Sequence, residues 1–300
     1  MTLPQIYVRN LLRIIGLALA ALALSVLGGC SAIRLAYNNA PELGYWWLDG
    51  YADFDESQAP QVRDGLYRLQ QWHRRTELPR IANLLQRVQR MAAADIDGAQ
   101  ACAVFGEARA RFLALTEQAE PAVLALAQSL GPEQLLHIER KFAKTNAEWR
   151  ADMLEGSPTE RAEKRLQANL ERSEQFYGKL LEPQLAVLRA ALESSNFDPQ
   201  TSYAERLRRQ QDLLQTLRSL NREGTGKADI ATARVALRGY LDRALESPNP
   251  QYRAYNDKLI ALSCQRMAQL HNSTSAEQRD RAVRRLAAYE RDARELSGQR

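Results

Sequence analysis

What most restricts the fold is a missing pattern. Between Pro60 and Arg300 no β-branched or aromatic run alternates with polar residues over the length of a strand. Ala, Leu, Arg, Gln and Glu dominate, and apolar residues recur at spacings of three and four, the signature of helices with one buried side. Val62, Leu66 and Leu69 form one such stripe; Leu207, Leu214 and Leu217 form a second; Val283, Leu286, Tyr289 and Ala293 form a third. Helix starts are written as boxes in which Ser or Thr precedes Glu by three: "SPTE" at Ser157, "SYAE" at Ser202 and "TSAE" at Thr274. Breaks are expected at Pro79, Glu120-Pro121, Gly131-Pro132, Gly156 to Pro158, Asn196 to Pro199, Gly224 to Gly226 and Ser247 to Pro250, while Pro183 either kinks its helix or restarts it. The expectation is an all-α chain, an elongated antiparallel multi-helix bundle of about nine helices, with a sub-bundle boundary near residue 157.

The N-terminus follows different rules. Residues 1–29 carry Arg9 and Arg13 and no acid, and Ile14 to Leu27 are apolar apart from Gly16 and Ser25. That run is too short to span a bilayer, which takes roughly 20 apolar residues, and it has the form of a secretory signal. It ends in Leu27-Gly28-Gly29-Cys30, which resembles the bacterial lipobox. The resemblance implies that the Cys30 thiol receives a diacylglyceryl group, that residues 1–29 are removed, and that the new amine is acylated. Several chains together anchor firmly where one binds only marginally. The competing reading is an uncleaved or conventionally cleaved signal with an incidental cysteine. Ser31 is not the aspartate that retains such proteins at the inner membrane, so the expected location is the periplasmic face of a Gram-negative outer membrane.

From Cys30 onward, 39 Lys and Arg face 36 Asp and Glu, since the signal segment holds two of the 41 cations and none of the acids. A balance of +3 with interleaved signs, as in "RAEKRLQANLERSEQ", reads as solvated helix faces and gives no nucleic-acid partner. Cys102 and Cys264 remain. In an oxidising compartment they pair into a disulfide closing a loop of about 160 residues, worth roughly 4–5 kcal/mol before strain. Alternatively, they are two separate buried thiols.

Residues 30–56 form an aromatic and acidic tether segment ahead of a helical domain at 57–300. Tyr37, Tyr45, Trp46, Trp47, Tyr51 and Phe54 crowd together, with Trp47, Tyr51 and Phe54 spaced to share a helix face. These aromatics either sit in the membrane interface or fold back and seal one end of the bundle. Asp49, Asp53, Asp55 and Glu56, which anionic headgroups repel, favour the second placement.

The sequence carries no recognisable catalytic constellation. His73, His137 and His271 are dispersed with no metal-ligand spacing, and His73 lies on the stripe of Leu66, Leu69 and Thr76, as a core histidine does. "REGTGKAD" fails as a phosphate loop: Asn221 stands where glycine is needed and Ala228 where Ser or Thr is needed. It reads as a polar interhelical turn. There is no Glu-x-x-His of a di-iron bundle. The chain is read as a non-enzyme without cofactor or metal.

Two successions are familiar. "CSAIRLAYNN", "YWWLDGYADFDESQ" and "WHRRTELP" occur in an order that resembles a proteobacterial outer-membrane lipoprotein family of unknown function. The likeness implies the anchor and no reaction. "FDESQ", "LGPEQ" and "TSAEQ", ending at Gln58, Gln134 and Gln278, are similar to the LTxxQ motif of periplasmic stress chaperones, though none is Leu-Thr-x-x-Gln. A glutamine so placed can equally do no more than cap its helix. The expected function is contact with envelope proteins, as scaffold or chaperone-like binder, through Tyr45, Trp46, Trp47, Tyr51, Trp72 and His73. The alternative is a carrier of lipid or another apolar ligand within the bundle.

Overall fold

The computed structural model describes residues 28–222 and 226–299. Residues 1–27 of the expected signal, and Glu223 to Thr225 of the expected interhelical turn, lie outside the described residues. The chain is all-α. In order come α1 (Gly28–Asn38), α2 (Ala40–Ala52), α3 (Gln58–Trp72), a π-helical turn (His73–Glu77), α4 (Leu78–Met91), α5 (Gly98–Ala127) and α6 (Pro132–Met153). Then follow α7 (Pro158–Tyr177), α8 (Glu182–Glu193), α9 (Pro199–Leu220), α10 (Ile230–Leu245), α11 (Pro250–Asn272) and α12 (Ala276–Gly298). The two-residue strands β1 (Asn221–Arg222) and β2 (Gly226–Lys227) pair antiparallel between α9 and α10. With the unbroken α3–π–α4 rod taken once, the described residues form eleven helices rather than nine. The additional two are α1 and α2, in the segment expected to be a tether.

Proline placement explains where the expected breaks fail. Pro79 brings no N–H to its helix, and its ring crowds the preceding turn. The ladder widens just upstream, Leu78 N–H reaching the His73 carbonyl, and the rod continues. Pro121 lies inside α5. The turns around it are held from outside: Glu120 pairs with Arg234 and Arg238 of α10, and Leu124 and Ala127 are buried. At Pro183 the restart occurs: α7 stops at Gly178, whose φ of 72° suits a residue without Cβ, and α8 begins with Pro183 in its first turn.

Two of the expected helix starts are displaced. Ser157 caps α7 in the box with Glu160 as read. The α9 cap is Asp198, which accepts the Gln200 N–H, so Ser202 falls inside the helix and Glu205 is buried among Arg208, Arg209 and Ser247. At α12 the cap is Ser275 with Gln278, one residue beyond the expected Thr274.

Three apolar clusters hold the chain. The first gathers Leu124, Leu135, Ile138, Leu214, Leu220 and Leu237, so helices from both sides of residue 157 meet in it. The second joins Tyr177, Leu180, Leu188, Leu270 and Ala282. The third packs Leu78 and Ala82 of α4 against Ala293 and Leu296 of α12. On the expected stripes, Leu214 and Leu217 are buried but Leu207 is exposed. Cys102 of α5 and Cys264 of α11 are joined in a disulfide, with Cα atoms 5.3 Å apart.

Candidate functional site

The candidate surface residues separate into distinct environments. In α2, positions three and four apart turn Tyr45 toward α3, where the Arg63 guanidinium lies 3.6 Å from its ring centroid and Phe54 packs at 5.9 Å. Tyr45 is therefore core, a correction to its expected place on the surface. Phe54 also leaves the helix face assigned to it. The helix ends at Ala52, Asp53 takes a left-handed conformation with φ of 50°, and the Phe54 N–H is caught by the Asp49 carboxylate at 3.0 Å. Trp47 and Tyr51 do share a face, with ring centroids 4.9 Å apart, and Tyr51 meets Phe142 and Lys141 of α6. Trp46 and Trp47 stay in solvent, 65% and 64% exposed.

Trp72 and His73 are half-buried. Trp72 borders a shallow depression with Tyr67, Arg68, Arg75 and Gln118. His73 turns to α1, where its Nδ1 lies 2.9 Å from the Tyr37 hydroxyl, and burial lowers its pKa below the ordinary histidine value. Beside it, Arg74 donates to the Asn38 side chain at 2.9 Å. Glu77, fully buried in the π turn, is paired with Arg80 and Arg111. Nothing in its sequence surroundings marks this carboxylate, which stands among ordinary interleaved charges.

Next to the Trp72 depression, α3 and α5 part to form an apolar groove of about 560 Å³, open on one side and lined by Leu66, Leu69, Ala119, Val123 and Leu126. Its floor is fixed by close contact: a Cβ on Gly65 would stand 3.1 Å from the Ala122 Cβ.

The glutamines do more than cap. Gln134 Oε1 accepts the Gly131 N–H, and Gln58 Oε1 accepts the Asp55 N–H. Their amides also face each other across the two loops: Gln58 Nε2 donates to Gln134 Oε1 at 3.1 Å, and Gln134 Nε2 to Gln58 Oε1 at 2.7 Å. Gln58 Nε2 further donates to the Ser129 carbonyl and Gln134 Nε2 to that of Ala52. A second clasp joins the α8 and α12 starts. Gln184 caps Leu181 and donates to the Ser273 carbonyl, while Gln278 caps Ser275 and donates to that of Lys179. Gln184 was not singled out from sequence, although "LEPQ" carries it at the same offset as "GPEQ".

His271 completes the buried polar set. Its Nε2 lies 2.9 Å from the Ala94 carbonyl, which can only accept, so Nε2 carries the proton and Nδ1 accepts from the Tyr177 hydroxyl at 3.0 Å. Burial lowers the His271 pKa and pushes that of Tyr177 up to about 12.

The lipidation candidate Cys30 lies in the first turn of α1. Among the described residues, no group of three or more His, Cys, Asp or Glu side chains is placed to hold a metal ion, and no helix is long and apolar enough to cross a membrane.

A family model described as a family of unknown function (DUF6279) matches residues 50–227, more than half of the chain, and the chain belongs to that family. No curated protein and no solved structure is a match.

Proposed function

We propose that this member of an uncharacterised family is a lipid-anchored protein of the Gram-negative envelope, held by acyl chains on Cys30 at the periplasmic face of the outer membrane. In this reading its helices form an elongated scaffold and it works by contact with other envelope proteins. One observation carries the contact reading: the open apolar groove between α3 and α5, continued by the depression at Trp72. A half-open groove between two helices suits the apolar face of a partner's helix, which anchors through side chains three and four apart. The partner is a protein whose amphipathic segment is exposed in the envelope, either a dedicated assembly component or an incompletely folded client.

The carrier reading has one observation on its side. The groove volume of about 560 Å³ falls within the usual range of small-ligand pockets. A photo-cross-linking residue at Val123, which is 46% exposed within the groove, separates the two in intact cells. Adducts with one or a few envelope proteins support the contact reading. A small lipid-sized mass on the monomer transfers the assignment to a carrier, and no adduct from Val123 removes the groove from the account.

A further inference from the structure

We infer that α1 and α2 form a continuous membrane-contacting strip, lying along the bilayer surface with Ile33, Leu35, Leu43, Trp46 and Trp47 in the interface. The inference extends the proposed anchor at Cys30, but its observations are independent of acylation.

Between Ala32 and Gly50 each exposed position is uncharged: Ala32, Ile33, Leu35, Ala36, Asn38, Asn39, Ala40, Leu43, Trp46, Trp47 and Gly50. The charges of this stretch are partnered by groups of the body. Arg34 pairs with Asp292 and Glu295 of α12, Glu42 with Arg63 and Tyr67 of α3, and Asp49 holds the Phe54 N–H. A helix at the edge of a water-soluble body shows the reverse distribution, charge outward and large apolar residues inward. Here five large apolar side chains are between 39% and 67% exposed within 15 residues, Ile33 to Trp47. Isolated exposed apolar residues need no explanation, whereas a strip of them marks an interaction surface.

The two helices present this strip together. Asn39 closes α1 by donating its N–H to the Leu35 carbonyl and opens α2 by accepting the Leu43 N–H, so the two helices abut at a single residue. At 1.5 Å per residue, Cys30 to Gly50 spans about 30 Å. Trp47 therefore reaches the interface only if the strip lies nearly flat, with its apolar side sunk roughly 5–10 Å.

The occupant is a lipid surface because of what precedes the strip. The apolar run Ile14 to Leu27 ends at the residue before α1 begins. Exchanged for acyl chains at Cys30, as proposed, or retained uncleaved, that run delivers the first turn of α1 to a bilayer. Tryptophan is enriched at that depth. Lys141, whose Nζ lies close to Gly50 and over the Tyr51 ring, supplies a cation at the far end.

The test uses the full chain purified from membranes and reconstituted in phosphatidylcholine vesicles, with and without bromine on the lipid acyl chains. Two of the four tryptophans lie on the strip, so brominated lipid is expected to remove about half of the emission. The loss should vanish in Trp46→Phe/Trp47→Phe, which leaves Trp72 and Trp149 as the emitters. Equal quenching in both forms, or none in either, overturns the inference. Helical circular dichroism of the variant guards against misfolding, and Leu35→Asp/Leu43→Asp, which keeps all four tryptophans, should lower quenching as well. The intact mass of the same samples reports acylation separately. Quenching without acyl mass keeps the strip and removes the anchor; acyl mass without quenching does the opposite.

Discussion

The side-chain amides of Gln58 and Gln134 donate to one another across two loops that lie 76 residues apart in sequence. Each is also the cap of its own helix, so one pair of side chains satisfies backbone groups in both loops and ties α3 to α6. Gln58→Ala leaves the Asp55 N–H and the Gln134 amide without these partners. The expected cost is about 1–3 kcal/mol, measured by urea unfolding. Gln58→Glu should rescue little, because a carboxylate cannot donate to the Ser129 carbonyl. An unchanged midpoint in both variants contradicts the clasp.

The Tyr177–His271 pair makes stability depend on pH. The His271 pKa is lowered in the fold, first by burial and also by Arg279, against the opposing pull of the Ala94 carbonyl and Asp95. A lowered histidine pKa means that the unfolded chain binds more protons near pH 6. Its stabilising effect is complete above the unfolded value of about 6.5 and is lost as the pH falls toward the folded value. His73, also lowered by burial, acts in the same direction. The melting temperature should fall on acidification through pH 6.5, and His271→Gln should flatten that slope while lowering stability at neutral pH. Tyr177 works at the other end. Its pKa is raised to about 12, so its contribution is present below about pH 10 and lost as the pH climbs toward 12.

The Cys102–Cys264 bridge spans 162 residues and ties α5 to α11. Reduction, or Cys102→Ser/Cys264→Ser, is expected to cost about 2–5 kcal/mol. Non-reducing electrophoresis with thiol labelling of the purified protein checks the pairing first. A free thiol at both positions in envelope-derived protein contradicts it.

Glu77 is the most deeply buried charge of the rod, placed where the ladder widens ahead of Pro79. Glu77→Ala strips two arginines of their shared partner, but Arg80 is half-exposed and can return to water. The expected loss is therefore about 1–3 kcal/mol rather than the larger penalty of a stranded buried charge.

Helix content was readable because Ala, Leu, Arg, Gln and Glu at spacings of three and four leave little else to form. What the sequence hid was tertiary compensation. Pro121 looks like a stop, and nothing local announces that Arg234 and Arg238 hold the turn before it. Ser202 and Glu205 match a capping box, yet the Asp198 carboxylate captures the start of α9 and leaves Glu205 for a buried network. In the aromatic segment, the expected fold-back holds for only some of the rings. Tyr45 and Phe54 fold back, whereas Trp46 and Trp47 face outward, a division set by helix phase and by the turn at Asp53. The groove was invisible because it depends on where α3 and α5 touch, at Gly65 and Ala122.

The central claim is the anchor, since the proposed envelope location rests on it. The most direct test is the intact mass of the full chain expressed in a Gram-negative host and extracted from its membranes. The account predicts a polypeptide beginning at Cys30 and heavier than its sequence by a diacylglyceryl group and one further acyl chain. A chain that keeps residues 1–29, or begins elsewhere with no acyl mass, contradicts it.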